Sequence, residues 1–235
     1  MSGKLYPRTD IYIADIRSLA DAEVFEKLLA AVPNQRREHI IKYRKHKDRM
    51  QGLGAGLLLE YGLRTRGYTL SEQQTDYRKI SLEMGRYGKP YVRDMEDICF
   101  NLSHAGDYVA AVFSEQAVGI DIEQIREVSP AFIQRFFTAD ECAYLERVKA
   151  QKQADLQSVN LTFTKMWTRK ESYIKAVGEG MHLPLTDFSV LGDQIEREDI
   201  YYWHTWEKPA GYGLSVCQKM PVNAEPVMVD IRMIL

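Results

Sequence analysis

The chain has little cysteine: Cys99, Cys142 and Cys217 are the three among its 235 residues, far apart and in unrelated contexts. None falls in a CxxC pair, so the spacing suggests neither a zinc site nor a disulfide framework. Cys99, in the apolar run Ile98-Cys99-Phe100, reads as a small buried hydrophobe. Long hydrophobic runs are also missing, and nothing approaches the roughly 18 apolar residues of a membrane span. The opening MSGKLYPRTDIYIAD lacks the apolar core and small-residue cleavage site of a secretion signal, so a cytosolic, membrane-free protein is expected. Nor is there an excess of charge: the formal net value of −2 argues against wholesale nucleic-acid binding. What is present is ordinary for a soluble globular chain, 45% apolar and 27% charged. The length suits one large domain or two small ones.

Residues 11–16 read as an opening strand, and Ser18 as the cap of a helix whose apolar positions Val24, Phe25, Leu28 and Leu29 recur at helical spacing. After Pro33 one longer helical stretch is expected, with Met50, Leu53, Leu57 and Leu58 on its buried side and a basic beginning from Arg36 to Arg49. Strand-like runs follow at residues 98–102, 108–114 and 118–122. Ser129-Pro130 fits a helix N-cap with proline in the first turn, and Thr138-x-x-Glu141 a capping box. The polar stretch 149–158 reads as a loop or a frayed helix end. A third helix is expected over residues 164–177, stopped by Gly178. The remainder alternates in strand fashion around residues 188–191, 200–206, 213–217 and 227–231. The two parts have a similar mix of elements, which permits a duplicated α/β (α+β) architecture with halves at 1–115 and 116–235.

Two patterns carry chemistry. In Val118-Gly119-Ile120-Asp121-Ile122-Glu123, strand alternation turns Val118, Ile120 and Ile122 inward and projects Asp121 and Glu123 together from the other face. Adjacent carboxylates repel, so a cation is expected between them, and oxygen-only ligands favour magnesium over zinc. A sheet edge with two solvated acids is the plainer account of a bare DxE. In Trp167-Thr168-Arg169-Lys170-Glu171-Ser172-Tyr173-Ile174-Lys175, the residues Trp167, Glu171 and Lys175 form one helical stripe. The plainer account there is a surface Glu–Lys pair. The functional one makes Glu171 a third carboxylate and Lys175 a phosphate-directed cation.

Together with Tyr87-Gly88-Lys89-Pro90, Phe100-Asn101-Leu102-Ser103-His104, the Phe136-Phe137-Thr138…Glu141 segment and Leu183-Pro184-Leu185…Phe188, these motifs resemble the phosphopantetheinyl transferases, most closely the larger single-chain type serving peptide and polyketide synthases. The resemblance spans about residues 36–190. It implies two similar halves forming a pseudo-dimer, with the active site in the cleft between them and no partner subunit required, hence a monomer. It implies coenzyme A as substrate, an acyl or peptidyl carrier protein as acceptor, and magnesium held by Asp121, Glu123 and Glu171. Glu171 would also help take the proton of the carrier serine, and Lys175 would stabilise the departing adenosine 3′,5′-bisphosphate. Lys170, about 100° round the helix, is a weaker candidate for the same phosphates. Ser103 and His104 would face the 3′-phosphate, with Arg36 and, more loosely, His39. Gly88, Lys89 and Pro90 would form a turn near the adenine and its phosphates.

The pattern departs at one point: a hydroxyl residue that commonly helps hold the phosphate falls at Gly52, beside Gln51. Gly52, Gly54 and Gly56 follow a basic helical stretch rather than a strand, so helix packing accounts for them better than a dinucleotide loop. Two rivals stand beside the transferase: a non-catalytic module binding coenzyme A or a carrier, and a nucleic-acid-binding protein using the basic helix.

Overall fold

The computed structural model describes residues 7–71, 76–151 and 155–234. The first six residues of the opening segment and residues 152–154 of the polar stretch lie outside the described residues. The first half contains strand β1 (Asp10–Asp15) and helices α1 (Ala22–Ala31), α2 (Asn34–Ile41) and α3 (His46–Arg64). Short strands β2 (Tyr68–Thr69), β3 (Arg78–Lys79), β4 (Leu82–Met84) and β5 (Pro90–Val92) lead to β6 (Cys99–Ala105) and β7 (Tyr108–Ser114). The second half holds β8 (Val118–Gln124), α4 (Pro130–Phe136), α5 (Ala139–Lys149) and α6 (Leu156–Val177), then β9 (Gln194–Glu196), β10 (Ile200–Trp206), β11 (Tyr212–Gln218) and β12 (Pro226–Val229).

Two four-stranded sheets result, ordered β12-β1-β7-β6 and β8-β11-β10-β9. Each carries one long helix, α3 across β7 and β1, and α6 across β8 and β11. Strand alternation divides the core into three. Tyr12, Ala14, Val109, Ala111 and Phe113 pack with α3. Phe163, Met166, Tyr173 and Ile174 of α6 pack with Tyr201, Trp203 and Cys217. Ile11, Ile13, Ala110 and Val112 of the first sheet meet Val118, Ile120, Ile122, Leu214 and Val216 of the second in a core shared by both halves. The mixed α/β architecture in two halves is therefore as expected from the sequence. The chain also crosses back: β12, near its end, pairs in parallel with β1, Ile11 opposite Pro226.

Several local readings hold. Ser129 caps α4 with Pro130 in the first turn. Thr138 and Glu141 form the capping box of α5. Gly178 ends α6 at φ 84°, a left-handed geometry that glycine adopts without steric cost. Others need correction. Asp21, not Ser18, caps α1, because residues 17–20 turn once as a 3₁₀ helix first and Asp21 accepts from the N–H of Glu23 and Val24. The single helix expected after Pro33 is two, broken at residues 42–45. α6 begins at Leu156, capped by Asp155, so part of the expected loop is helix. Residues 188–191 form no strand and follow a 3₁₀ turn at Leu185–Asp187. Near the end, Ile231 opens another 3₁₀ turn rather than extending the last strand.

Candidate active site at the junction of the halves

On β8, the alternation expected from the sequence is present. Val118, Ile120 and Ile122 enter the shared core, leaving Gly119, Asp121 and Glu123 on the face towards α6. Gly119 admits the helix: a Cβ there would lie 2.0 Å from the Ser172 carbonyl oxygen and 2.4 Å from the Ala176 nitrogen. No side chain fits in that space. The close approach lays the Trp167–Glu171–Lys175 stripe along the strand. Trp167 lies beside Glu123 at one end, and Lys175 reaches Asp121 at the other.

The Lys175 ammonium donates to Asp121 Oδ1 at 2.6 Å, Ser103 Oγ at 3.1 Å and the Ile120 carbonyl at 3.1 Å. Ser103, on β6, donates to Asp121 Oδ1 at 2.9 Å and accepts from the Ile122 N–H at 3.3 Å. Two residues earlier on the same face, Asn101 accepts from the Ile120 N–H at 2.9 Å. The edge strand of the first sheet is thus stitched to the edge strand of the second by side chains, at the point where the acids sit. Glu171 stands between: burial, and then the Asp121 charge, push its pKa up to about 7 against the opposing pull of Lys175. Burial and Asp121 likewise raise Glu123.

Among the described residues, no three His, Cys, Asp or Glu side chains are drawn together as a ready metal cage. The residues nevertheless fit a hard cation on two observations. Asp121 Oδ2 is buried without a hydrogen-bond partner, a costly condition for a carboxylate oxygen. Glu171 and Glu123 are both raised, by burial first and by the Asp121 charge second, so an added cation beside these acids would be favourable. An all-oxygen set of this kind suits magnesium.

The remaining residues singled out in the sequence divide. His104 lies at the surface next to Ser103, and the protein around its ring, then Lys175, hold its pKa below the ordinary imidazole value. Arg36, on α2, lies against Gly56, whose added Cβ would be 2.1 Å from its Nε; that nitrogen is buried and unpartnered. Burial also lowers the Arg36 pKa. His39, a turn further on, is exposed and hydrogen-bonds the Tyr43 hydroxyl at 3.1 Å. Gln51 donates to the Gly106 carbonyl at 3.1 Å, while Gly52 accepts from Arg36 through its carbonyl at 3.4 Å.

Gly88, at φ 82°, makes the expected tight turn, with Pro90 opening β5 beyond it. Lys89 does not point outward as a phosphate contact would. Its ammonium is buried against backbone carbonyls of Val118, Lys175 and Ala176, and burial lowers its pKa to about 8. Lys170 also disagrees with its sequence reading. Its side chain is 0% exposed, 2.8 Å from Glu141, and donates to the Leu185 and Phe188 carbonyls at 2.7 Å each. A helix rotation of 100° from Glu171 leads into the core.

Comparison with known proteins identifies the family. Residues 117–217 match the family described as the 4′-phosphopantetheinyl transferase superfamily, and residues 20–116 match "4'-phosphopantetheinyl transferase, N-terminal". The 4′-phosphopantetheinyl transferase Sfp of Bacillus subtilis (strain 168) is 31% identical over 210 residues, covering 86% of this chain and 88% of that relative. The chain belongs to the 4′-phosphopantetheinyl transferase superfamily. Similar too are the transferase gsp of Aneurinibacillus migulanus, 31% identical with 84% and 80% covered, and ffp of Bacillus subtilis, 30% identical with 93% of each covered. They favour an enzyme of this class over a non-catalytic module or a nucleic-acid-binding protein.

Sequence reasoning missed three contacts of the candidate site and of the scaffold behind it. The contact of Ser103 with Asp121 was legible only as a polar alternation, Asn101 then Ser103, on a strand otherwise apolar. Glu141 was read as a capping residue, and its second task, holding Lys170 and the Val190 N–H, left no local signal. The seat of Lys89 at the end of α6 joins residues 86 positions apart.

Proposed function

We propose that this transferase is magnesium-dependent and moves the 4′-phosphopantetheine arm of coenzyme A onto a serine of an acyl or peptidyl carrier protein, of the kind found in peptide and polyketide synthesis. It would act as a monomer in the cytosol, without nucleic acid or membrane as partner. The observation that carries this is the Lys175–Asp121 pair where the halves join, on the face that also carries Glu123 and Glu171, with one Asp121 carboxylate oxygen buried and unpaired. The serine oxygen attacks the pantetheine-bearing phosphorus, and the bond from that phosphorus to the adenosine phosphate oxygen breaks. The serine proton passes to Glu171, directly or through water. Glu171 lies on the stripe of the second long helix that faces Asp121 and Glu123, so its carboxylate is placed to accept it. Lys175 meets the negative charge that grows on the departing adenosine 3′,5′-bisphosphate. Asp121, Glu123 and Glu171 would hold magnesium, which when bound would neutralise the pyrophosphate charge.

Arg36 and His104 are assigned to the 3′-phosphate, with His39 and the Gly88–Pro90 backbone at the periphery of the nucleotide. Lys170 and the ammonium of Lys89 are left out of the ligand set because their donors are already committed. Mass spectrometry of an apo carrier protein, incubated with the enzyme, magnesium and either coenzyme A or its 3′-dephospho form, tests the reading. Modification of the carrier serine is expected, and Arg36→Ala or His104→Ala should weaken use of coenzyme A by about one to two decades relative to the dephospho donor. An unmodified carrier with every donor refutes the function. Equal losses for both donors refute the 3′-phosphate assignment.

A further inference from the structure

The last turn of a helix leaves carbonyls without helical partners. In α6 the Gly178 N–H takes the Ile174 carbonyl at 2.8 Å. The next two free carbonyls, those of Lys175 and Ala176, are met by Lys89 Nζ at 2.5 and 3.4 Å, which also donates to the Val118 carbonyl at 3.0 Å. Lys89 arrives from the other half of the molecule. The turn before it closes through Gly88 N–H to Gly85 O and Gly85 N–H to Lys89 O, each 2.9 Å, and Tyr87 rests on His182 with ring centres 4.8 Å apart. A cation at a helix C-terminus is favourable both as a donor and against the helix dipole.

The three acceptors are not a random set. Lys175 is the residue whose side chain grips Asp121, and Val118 opens the strand that carries Asp121. We propose that Lys89 is a positioning residue, a clasp from the first half that fixes the end of α6 against the start of β8 so that Lys175 and Asp121 stay in reach of one another. This rests on the transferase reading for its effect on catalysis, but the clasp itself is a property of the fold. Its burial, and the lowered pKa that follows, agree with an ammonium spent on backbone rather than offered to a ligand.

The test uses the full chain with Lys89→Met and Lys89→Gln, the second keeping a donor head without charge. Backbone hydrogen exchange is followed at residues 175–178 and 119–122, with α3 as internal reference, alongside steady-state transfer at saturating magnesium and carrier. For Lys89→Met, exchange at those amides should quicken by about tenfold or more while α3 is unchanged. Turnover should fall by about tenfold or more, with the Michaelis constant for coenzyme A within about twofold, as expected when reacting groups are displaced rather than binding lost. Lys89→Gln should recover part of both, and decides the matter alone if Lys89→Met does not fold. Unchanged exchange overturns the clasp. So does an unchanged turnover with a raised Michaelis constant, which would make Lys89 a phosphate ligand after all. If the parent protein transfers nothing, the functional reading fails, and the exchange result still decides the clasp.

Discussion

Helices α3 and α6 occupy matching places, each laid across the central strands of a four-stranded sheet, yet they are packed with different materials. Beneath α3 the strands present Tyr12, Ala14, Val109, Ala111 and Phe113, and the helix answers with leucines and glycines. Its one buried acid, Glu60, is tied to Arg64 and to the Thr69 hydroxyl. Beneath α6 the strands present Gly119, Asp121, Glu123, Gly213, Ser215 and Cys217. The buried residues of α6 include Thr164, Thr168, Lys170 and Ser172. Hydrocarbon contacts are non-directional and tolerate repacking, whereas each buried hydroxyl or charge requires a partner in one place. The comparison teaches that one scaffold can serve as ballast in one half and as a positioned polar site in the other. The face that buries more polar groups is the one to which the proposed chemistry is assigned.

The sharpest break between the halves should come from Lys175. Lys175→Ala is expected to lower the turnover number by about 10²–10³, as for loss of one preorganised electrostatic group, and to raise the Michaelis constant for coenzyme A much less. Lys175→Arg should restore only part, since a planar fork does not replace a compact ammonium. Leu57→Ala, on the buried side of α3, should leave turnover nearly unchanged in the folded fraction. Steady-state rates on all three variants settle the contrast, and an unchanged turnover number for Lys175→Ala would end it.

Stability should break differently. Lys170→Met leaves the Glu141 carboxylate buried without its counter-ion, at a cost of about 3–5 kcal/mol. Leu57→Ala costs a similar amount, about 2–5 kcal/mol, by opening a cavity. The double variant Glu141→Gln with Lys170→Met should recover most of the loss, because the charge is removed while Gln still accepts from Val190 N–H. No second substitution of that kind repairs the cavity. Denaturant unfolding of the four proteins measures this.

The smallest effect concerns pH in the absence of metal. Glu171 has a folded pKa near 7 against 4.5 unfolded, so the folded state binds the extra proton. Its contribution is fully present below about pH 4.5 and is lost as pH rises through 7. Melting temperatures in chelator should therefore decline between those limits, and Glu171→Gln should flatten that part of the profile. An identical slope in the variant would show that another group titrates there.

Much of the second half was legible because its signals are local. The DxE alternation, the i, i+4, i+8 stripe, Ser129-Pro130, the Thr138–Glu141 box and Gly178 each follow from spacing alone, and each is found in place. The boundary errors are also local in origin. Ser18 and Asp21 are both good caps, and a short 3₁₀ turn decided between them. The two lysines that moved from ligand to scaffold were illegible for another reason. Lysine in a polar motif has the same spelling whether its ammonium faces a phosphate or a ring of carbonyls, and the acceptors of Lys89 and Lys170 come from 15 to 87 residues away.

By itself the sequence determined which strand carries the acids, which helix face opposes them, and the family to which those motifs belong, because strand and helix periods fix which side chains share a face. Only the tertiary structure decided that β12 returns to the first sheet, that Ser103 ties the two edge strands at Asp121, and that Lys89 and Lys170 hold the scaffold. Those outcomes depend on which groups must be satisfied once water is gone, and that is settled only when distant segments meet.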